Sequence, residues 1–409
     1  MPSGLTTLGR CLIAAGVSAS VCSVVLNERD LLRIGVLVIV LALLSALVAA
    51  RTRLVVHAER DLRPMRLSAG SDATARLTVH TGRRMLGGGL VLTDSLPDAL
   101  GGSPRFVTRP PRRGDPPLEL AYPITPTVRG VHQVGPLTMR VSDPMGLSEY
   151  ERELAGRTTL TVLPRVTVLS GLPDGFGRGE GDAGSTGLRR GLGERDAMVR
   201  EYQPGDALRT VHWKSTAHRD ELMVRVEERP WHGGVTVLLD RRAVAHRGIG
   251  AQASLEWSIE LVASVCQHLL ENGRRVTLVA ENGATLASGR DPEDLLDVLA
   301  TLRPSAHPGL VPPPRDGGEL FAVLGSVDVA DVQPLIQGTS GGHGHAVLLD
   351  VAAWTSAAAE TRPVAGVAPP ARALADAGWT VLVGRPERGP DRVWNDFCRR
   401  LPVRLGTGR

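Results

Sequence analysis

The chain has 409 residues, a hydrophobic share of 42% and a formal net charge of +4, which allows two or three domains with sizeable cores. Its basic residues are spread along the sequence without dense clusters, which argues against a nucleic-acid-binding surface. The four cysteines lie far apart and form no CxxC spacing. That distribution argues against a disulfide framework and a zinc site, and it suits a reducing compartment.

Two apolar segments near the N-terminus predict a transmembrane helical hairpin over residues 1–52. They cover residues 8–26 and 31–50, and a helix needs about 20 apolar residues to cross the hydrocarbon core. The alternative is a cleaved signal peptide. It is less well supported, because only Arg10 supplies a basic charge near the start and a second apolar segment follows within four residues.

Arginines that flank the two apolar segments predict their orientation. The turn side carries Arg29 and Arg33. Five arginines follow the second segment within sixteen residues: Arg51, Arg53, Arg60, Arg63 and Arg66. Because the side with more arginine stays inside, we expect a two-span protein of the cell (inner) membrane with its soluble domains in the cytoplasm.

Residues 53–168 predict an all-β domain, because short runs of alternating apolar and polar residues are separated by turns rich in Gly and Pro. The predicted strands are 75–80, 90–93, 118–122, 131–134, 137–141 and 159–163. About seven short strands at this spacing are typical of an immunoglobulin-like sandwich. Two phrases, 129–136 and 143–147, are explained as turns by their Gly and Pro residues.

Residues 169–194 are rich in Gly and predict a flexible connection. Their Gly-x-Gly-x-Gly phrase lacks the Gly-Lys-Ser/Thr ending of a phosphate-binding loop, so we predict no nucleotide site. The segment that follows carries the densest charge in the chain. Its candidate functional residues are Arg200, Glu201, Tyr202, Asp206, Arg209, His212, Trp213, Lys214 and Arg219.

These residues allow two interpretations. The mixed signs favour an ion-pair network or a partner-docking surface with Trp213 as its apolar anchor, because buried charges persist only when paired. The alternative is a hydrolase or transferase that uses His212, Lys214 and Asp206 as an acid/base site on envelope-related substrates. Lys214 is the only lysine in the chain, and arginine does not replace lysine in tight geometry. We assign no catalytic residue, and an enzyme is the less favoured interpretation.

Regular alternation of strands and helices predicts a doubly wound α/β domain within residues 195–409. The predicted strands are 235–239, 275–280, 320–324, 346–349 and 380–383. The predicted helices are 255–270, 292–302, 329–336, 371–377 and 392–400. The multidomain architecture is therefore a membrane hairpin, a β-sandwich and a C-terminal α/β domain.

Several phrases in this sequence resemble the bacterial domain of unknown function 58 family. They are Arg-Glu-Tyr-x-Pro-Gly-Asp at 200–206, His-Trp-Lys at 212–214, Leu-Met-Val-Arg at 222–225, Val-Leu-Pro-Arg at 162–165 and the two turn phrases of the β domain. The order of a hairpin, a β domain and the charged motif is similar as well. The resemblance covers essentially the whole chain.

The resemblance implies that the C-terminal domain is von Willebrand factor A-like and cytosolic. It also implies an association with MoxR-type AAA ATPases and transglutaminase-like membrane proteins. The molecular activity of the family is undetermined. The expected function is therefore a membrane-anchored platform for protein partners in envelope or complex assembly, with the lipid bilayer as its other partner.

Magnesium-binding members of the von Willebrand A-like fold carry an aspartate at the end of the first strand, followed by serines two and four residues later. Asp240 stands at that place here, but Arg242 and Val244 occupy the serine positions. A guanidinium and an isopropyl group cannot supply the oxygen ligands that Mg²⁺ requires. We therefore expect a degenerate metal site, no metal or other cofactor, and pairing of Asp240 with Arg241 or Arg242.

Overall fold

The computed structural model divides the chain into two compact units. One comprises residues 1–165 with 299–302, and the other comprises 166–298 with 303–409. The residues that the structure describes are 4–52, 56–81, 89–108, 116–143, 145–173, 199–201, 223–225, 234–314, 319–338, 344–354 and 366–399.

The first unit begins with a close pair of helices, α1 (Thr7–Leu26) and α2 (Arg29–Thr52). The hydroxyl oxygen of Thr6 caps α1 by accepting a hydrogen bond from the Gly9 N–H at 3.2 Å. The helices approach closely at Gly16, where an added Cβ would lie 2.8 Å from the Ile39 side chain. Small residues permit such contact between apolar helices.

Both predicted apolar segments are thus confirmed as helices, and each is long and apolar enough to cross a membrane. Only 17% of the most apolar stretch of each helix is buried. A core helix of a soluble protein would be mostly buried. The apolar surface of this pair instead faces outward, as a lipid-facing surface does.

The rest of the first unit is mostly β structure, with its strands arranged in small sheets. The described strands are β1 (Gly4–Leu5), β2 (Val56–Arg63), β3 (Arg66–Ser68), β4 (Ala73–Thr81), β5 (Gly89–Asp94), β6 (Arg105–Thr108), β7 (Leu118–Ile124), β8 (Gly130–Val134), β9 (Leu137–Ser142), β10 (Ser148–Ala155) and β11 (Thr158–Leu163). Their sheet orders are β1-β10-β9-β5-β6, β3-β11-β8 and β2-β4-β7.

Alternate residues of these strands fill one apolar core. Along β4, Ala75, Leu77 and Val79 are each fully buried, and Leu92 and Met139 reach the same core from β5 and β9. This two-residue period is what the sequence predicted. All six predicted strands of this region are confirmed as strands.

A buried ion pair joins two strands of this region. Arg60 on β2 and Asp94 on β5 have side chains only 1% and 0% exposed. The Arg60 guanidinium donates to both carboxylate oxygens, with Nε 2.9 Å from Oδ2. The Tyr122 hydroxyl also donates to Oδ2 at 2.7 Å, and burial together with this carboxylate raises the pKa of Tyr122. Arg60, which the sequence analysis counted among the membrane-flanking arginines, is therefore a buried structural residue.

The second unit contains a six-stranded sheet flanked by helices. The described strands of this unit are β12 (Val199–Glu201), β13 (Met223–Arg225), β14 (Gly234–Leu239), β15 (Arg275–Ala280), β16 (Thr285–Gly289), β17 (Glu319–Leu324), β18 (Gly344–Leu349) and β19 (Thr380–Gly384). Strands β12 and β13 pair with each other, and the other six form the six-stranded sheet. The described helices of this unit are α3 (Ser254–Glu271), α4 (Pro292–Thr301), α5 (Val329–Gly338), α6 (Ala368–Asp376) and α7 (Pro390–Cys398).

The sheet order is β16-β15-β14-β17-β18-β19, and all neighbouring strands are parallel except β15 and β16. The predicted strands and helices of this domain are confirmed, within a few residues at their ends. The sheet is mixed rather than wholly parallel, because β16 returns antiparallel to β15 through a tight turn at Gly283, whose φ is +77°. Strand β16 was not predicted, because its sequence, Thr-Leu-Ala-Ser-Gly, contains no apolar run.

Strand β14 lies at the centre of this sheet, with β15 on one side and β17 on the other. The chain therefore moves outward from β14 in one direction and later returns to its opposite side. In open α/β sheets, ligands bind outside the carboxyl ends of strands at such a reversal point. The carboxyl ends of β14, β15 and β17 are consequently where this fold would hold a ligand.

Candidate functional site

The charged motif singled out in the sequence is described only at its two ends. Strands β12 and β13 pair antiparallel, which places Arg200 opposite Val224 and Glu201 opposite Met223. The other predicted site residues lie outside the described residues: Tyr202, Asp206, Arg209, His212, Trp213, Lys214 and Arg219. Their convergence on one site stays a prediction.

A cluster of buried charges lies at the carboxyl end of β14. Asp240 follows this strand directly and is 0% exposed, and Arg242 is 2% exposed. The guanidinium donates from Nε to Oδ1 and from Nη2 to Oδ2, both at 3.0 Å. The backbone N–H of Arg242 also donates to Oδ1 at 3.0 Å. This bidentate, charge-assisted arrangement is the strongest that a carboxylate forms with an arginine.

The same guanidinium reaches a second carboxylate. Its Nη1 lies 3.4 Å from Oδ1 of Asp331 on α5. Burial acts to lower the pKa of Arg242, but the hydrogen bonds and negative charge of Asp240 and Asp331 outweigh it and raise that pKa. Arg242 is therefore a permanent cation between two carboxylates. The predicted pairing of Asp240 with a neighbouring arginine is confirmed.

This geometry does not fit a magnesium site. Both oxygens of Asp240 are bonded to a guanidinium, and Mg²⁺ requires oxygen ligands with free lone pairs. Among the residues that the structure describes, no group of three or more His, Cys, Asp or Glu side chains is placed to share a metal ion.

A second acid–base pair lies beside the first, at the end of β15. Glu281 is 0% exposed, and its Oε2 accepts a hydrogen bond from Arg241 Nε at 3.0 Å. Arg241 and Arg242 thus pair with carboxylates that follow neighbouring strands. Sequence reasoning missed Glu281 and Asp331. The acidic residue that directly follows the apolar run of β15 was a usable signal, since Asp240 follows β14 in the same way.

His246 connects this cluster to the start of α3. Its Nε2 lies 2.7 Å from the backbone oxygen of Asp240, and because a carbonyl only accepts, Nε2 carries the proton. Its Nδ1 lies 3.0 Å from the Ser254 hydroxyl, which accepts the Arg247 N–H at 2.9 Å. Burial lowers the pKa of His246 and so favours the neutral imidazole, in which Nδ1 accepts a hydrogen bond from the Ser254 hydroxyl. His246 is thus a neutral imidazole with both nitrogens occupied.

The titration of His246 predicts a loss of stability in mild acid. Burial lowers the pKa of His246 in the folded protein, so its stabilising contribution is present above the unfolded value of about 6.5 and is lost as the pH falls below it. We expect the free energy of unfolding to fall as the pH is lowered below about 6.5, and to fall less in a His246→Gln variant.

Urea unfolding followed by tryptophan fluorescence measures this effect in the second unit, because all six tryptophans lie in the second half of the chain. An identical pH dependence in the wild type and the His246→Gln variant would contradict the role assigned to this histidine.

The fold and the cluster together define a class of protein. It has two apolar N-terminal helices, a mostly β region and a mixed α/β unit in which Asp240 pairs with Arg242 and Glu281 pairs with Arg241. Residues 198–310 match the protein-family model described as "Protein of unknown function DUF58". This match confirms the resemblance over the segment that contains the charged motif, Asp240, Arg242 and Glu281.

A curated relative and a solved structure are similar to parts of the chain. The "Uncharacterized protein YeaD" of Bacillus subtilis is 26% identical over 156 residues, which is 38% of this chain and 37% of that protein. Cwp6 from Clostridium difficile covers 80% of this chain and 37% of its own at 9% identity. Its TM-score of 0.14 is too low to carry an argument. The chain therefore matches little more than a third of the length of its curated relative.

Proposed function

We propose that this protein is a membrane-anchored platform for protein partners, and that its paired charges hold the platform together without performing catalysis. Its soluble parts are cytosolic in this proposal: the β region is an immunoglobulin-like sandwich and the α/β unit is von Willebrand A-like. The partners are a MoxR-type AAA ATPase and a transglutaminase-like membrane protein, acting in envelope or complex assembly.

One observation carries this proposal: the side chain of Arg242 occupies the point where the strand order of the sheet reverses. The site where an α/β fold binds its ligand is filled here by a guanidinium held between Asp240 and Asp331. General acid–base catalysis needs a group free to exchange a proton with a substrate. Buried groups that each face an opposite charge instead depend on each other, because removal of one partner leaves the other charge buried and unpaired.

The anchoring part of the proposal is supported by contacts of the first helix with the β region. The short strand β1 pairs with β10, and the Thr6 N–H donates to the Leu147 carbonyl at 2.9 Å. Cleavage of α1 as a signal peptide would remove both contacts from the β region. Their presence supports an uncleaved hairpin.

A binding measurement tests the proposal. The full chain in lipid nanodiscs is titrated with a purified MoxR-type ATPase from the same cell, with empty nanodiscs as the control. We expect saturable binding and a changed rate of ATP hydrolysis. Lack of binding would overturn the partnership, and turnover of an envelope-derived substrate that is abolished by His212→Ala would favour the hydrolase or transferase alternative.

A further inference from the structure

One turn of the β region, of which residues 143 and 145–148 are described, joins β9 to β10 and is bonded to both apolar helices. The Thr6 hydroxyl, at the start of α1, donates to the Gly146 carbonyl at 2.8 Å. On α2, the Ser45 carbonyl accepts a hydrogen bond from the Ser148 hydroxyl at 3.1 Å. Ser45 and Ser148 are only 9% and 1% exposed. This turn, which is called the docking turn below, is therefore fixed to the helix pair.

The length of the helices sets the depth of this contact. Ser45 lies 16 residues after the start of α2 at Arg29, which is about 24 Å along the helix at 1.5 Å per residue. The hydrocarbon core of a bilayer is about 30 Å thick. When the charged link at Arg29 and Asp30 lies in water on one side, Ser45 lies near the opposite boundary of the core. Thr6, which is bonded to the same turn, lies a full 20-residue helix, about 30 Å, from the link. The docking turn is then near the level of that boundary.

Several polar groups of the docking turn have hydrogen-bond partners within the protein. The Asp143 carboxylate accepts the N–H groups of Ser148 at 2.7 Å and Met145 at 3.1 Å. Burial acts to raise the pKa of Asp143, but hydrogen bonds from Ser45 and the turn outweigh it, so this pKa is below its usual value. Non-helical backbone is tolerated within the hydrocarbon core only where it is buried in protein or lines a water-filled cavity, so the docking turn fits the interface rather than the core.

The exposed side chain of the docking turn is apolar. Met145 is 57% exposed. Exposed apolar residues also lie at the same end of the helix pair, which carries the exposed Arg10 as well: Leu8 is 57%, Leu44 57% and Leu47 51% exposed. Met145 therefore continues the apolar outer surface of the helices. This continuity favours the bilayer itself, and not a further protein, as the partner of the turn.

We propose that the docking turn enters the bilayer interface and places the Met145 side chain among the lipids. The β region would thus be held against the membrane surface at a point outside the hairpin. This inference rests on the proposed membrane anchoring. It adds a second contact with lipid and fixes which face of the β region points to the bilayer.

Fluorescence quenching by lipid tests the inference. Cys11, Cys22 and Cys398 are replaced by serine, and Cys266 is retained because it is fully buried. A Met145→Cys variant is labelled with an environment-sensitive fluorophore and reconstituted in phosphatidylcholine vesicles that carry a spin label near the headgroup. Arg157→Cys is the matched control, because it is exposed just beyond the far end of β10, about 23 Å away along the strand.

We expect quenching at position 145 to exceed that at position 157 severalfold. Equal quenching at the two positions would overturn the inference. A third variant, Leu44→Cys, reports on the anchor itself. Quenching at position 44 without quenching at position 145 refutes the docking turn alone, whereas no quenching at position 44 refutes the proposed anchoring and the inference with it.

Discussion

Replacing Asp94 by alanine should lower the free energy of unfolding of the β region by about 3–5 kcal/mol, because it leaves the buried guanidinium of Arg60 without its counter-ion. The cost is large because both side chains are almost completely excluded from water, at 1% and 0% exposure. The Tyr122 hydroxyl loses its acceptor in the same variant. Hydrogen–deuterium exchange of peptides from β4 and β7 in the detergent-solubilised chain measures the change.

Asp61→Ala provides the matched control for this experiment. Asp61 lies on β2, as Arg60 does, and pairs with Arg63 at 2.8 Å, but the side chains of Asp61 and Arg63 are 44% and 82% exposed. Exposed pairs contribute less than about 1 kcal/mol. Exchange rates that rise equally in the Asp61 and Asp94 variants would contradict the structural role of the buried pair.

Replacing Arg242 by alanine should destabilise the α/β unit by about 3–5 kcal/mol, because the Asp240 carboxylate would remain buried without a cation. Its Oδ2 would retain only a long hydrogen bond from the Gly325 N–H at 3.3 Å. A double variant, Asp240→Leu with Arg242→Met, should recover most of the loss, since apolar residues of similar volume replace buried ion pairs at little cost. Urea unfolding followed by tryptophan fluorescence reports on this unit.

Arg385→Ala is the control for the Arg242 variant. Arg385 follows β19 and pairs with Asp350, which follows β18, at 3.1 Å, yet these side chains are 56% and 27% exposed. We expect a loss of less than about 1 kcal/mol. An Arg242→Ala protein as stable as the wild type would show that the guanidinium does not hold this edge of the sheet.

The strands that the sequence predicted are those whose burial follows a simple pattern. Strands β14 and β18 are almost wholly apolar, and β4 alternates regularly. Strands β2 and β10 were not predicted, because charged residues occupy much of each: Val-His-Ala-Glu-Arg-Asp-Leu-Arg and Ser-Glu-Tyr-Glu-Arg-Glu-Leu-Ala. In β2 one of these charges, Arg60, is itself buried against a carboxylate. The charged residues of β2 therefore prevented its prediction from sequence, although the pairing of Arg60 with Asp94 stabilises the strand in the folded protein.

The ion pairs of the candidate site were predictable only where the two paired residues are close in sequence. Asp240 and Arg242 are two residues apart, and the sequence predicted that Asp240 pairs with Arg241 or Arg242. Glu281 lies 40 residues from Arg241, and Asp331 lies 89 residues from Arg242. These partners meet because β15 and β17 flank β14 in parallel register, which is a property of the assembled sheet.

The docking turn also has a consequence for the order in which the protein is made. Ser148 lies 103 residues after Ser45, its partner on α2. Domains form from the N-terminus as the ribosome delivers the chain, so both apolar helices are synthesised well before the turn that fixes them to the β region. Under the proposed anchoring, the hairpin enters the bilayer without help from that turn. In that order of events, the β region completes its folding when β10 emerges and bonds to helices already in place.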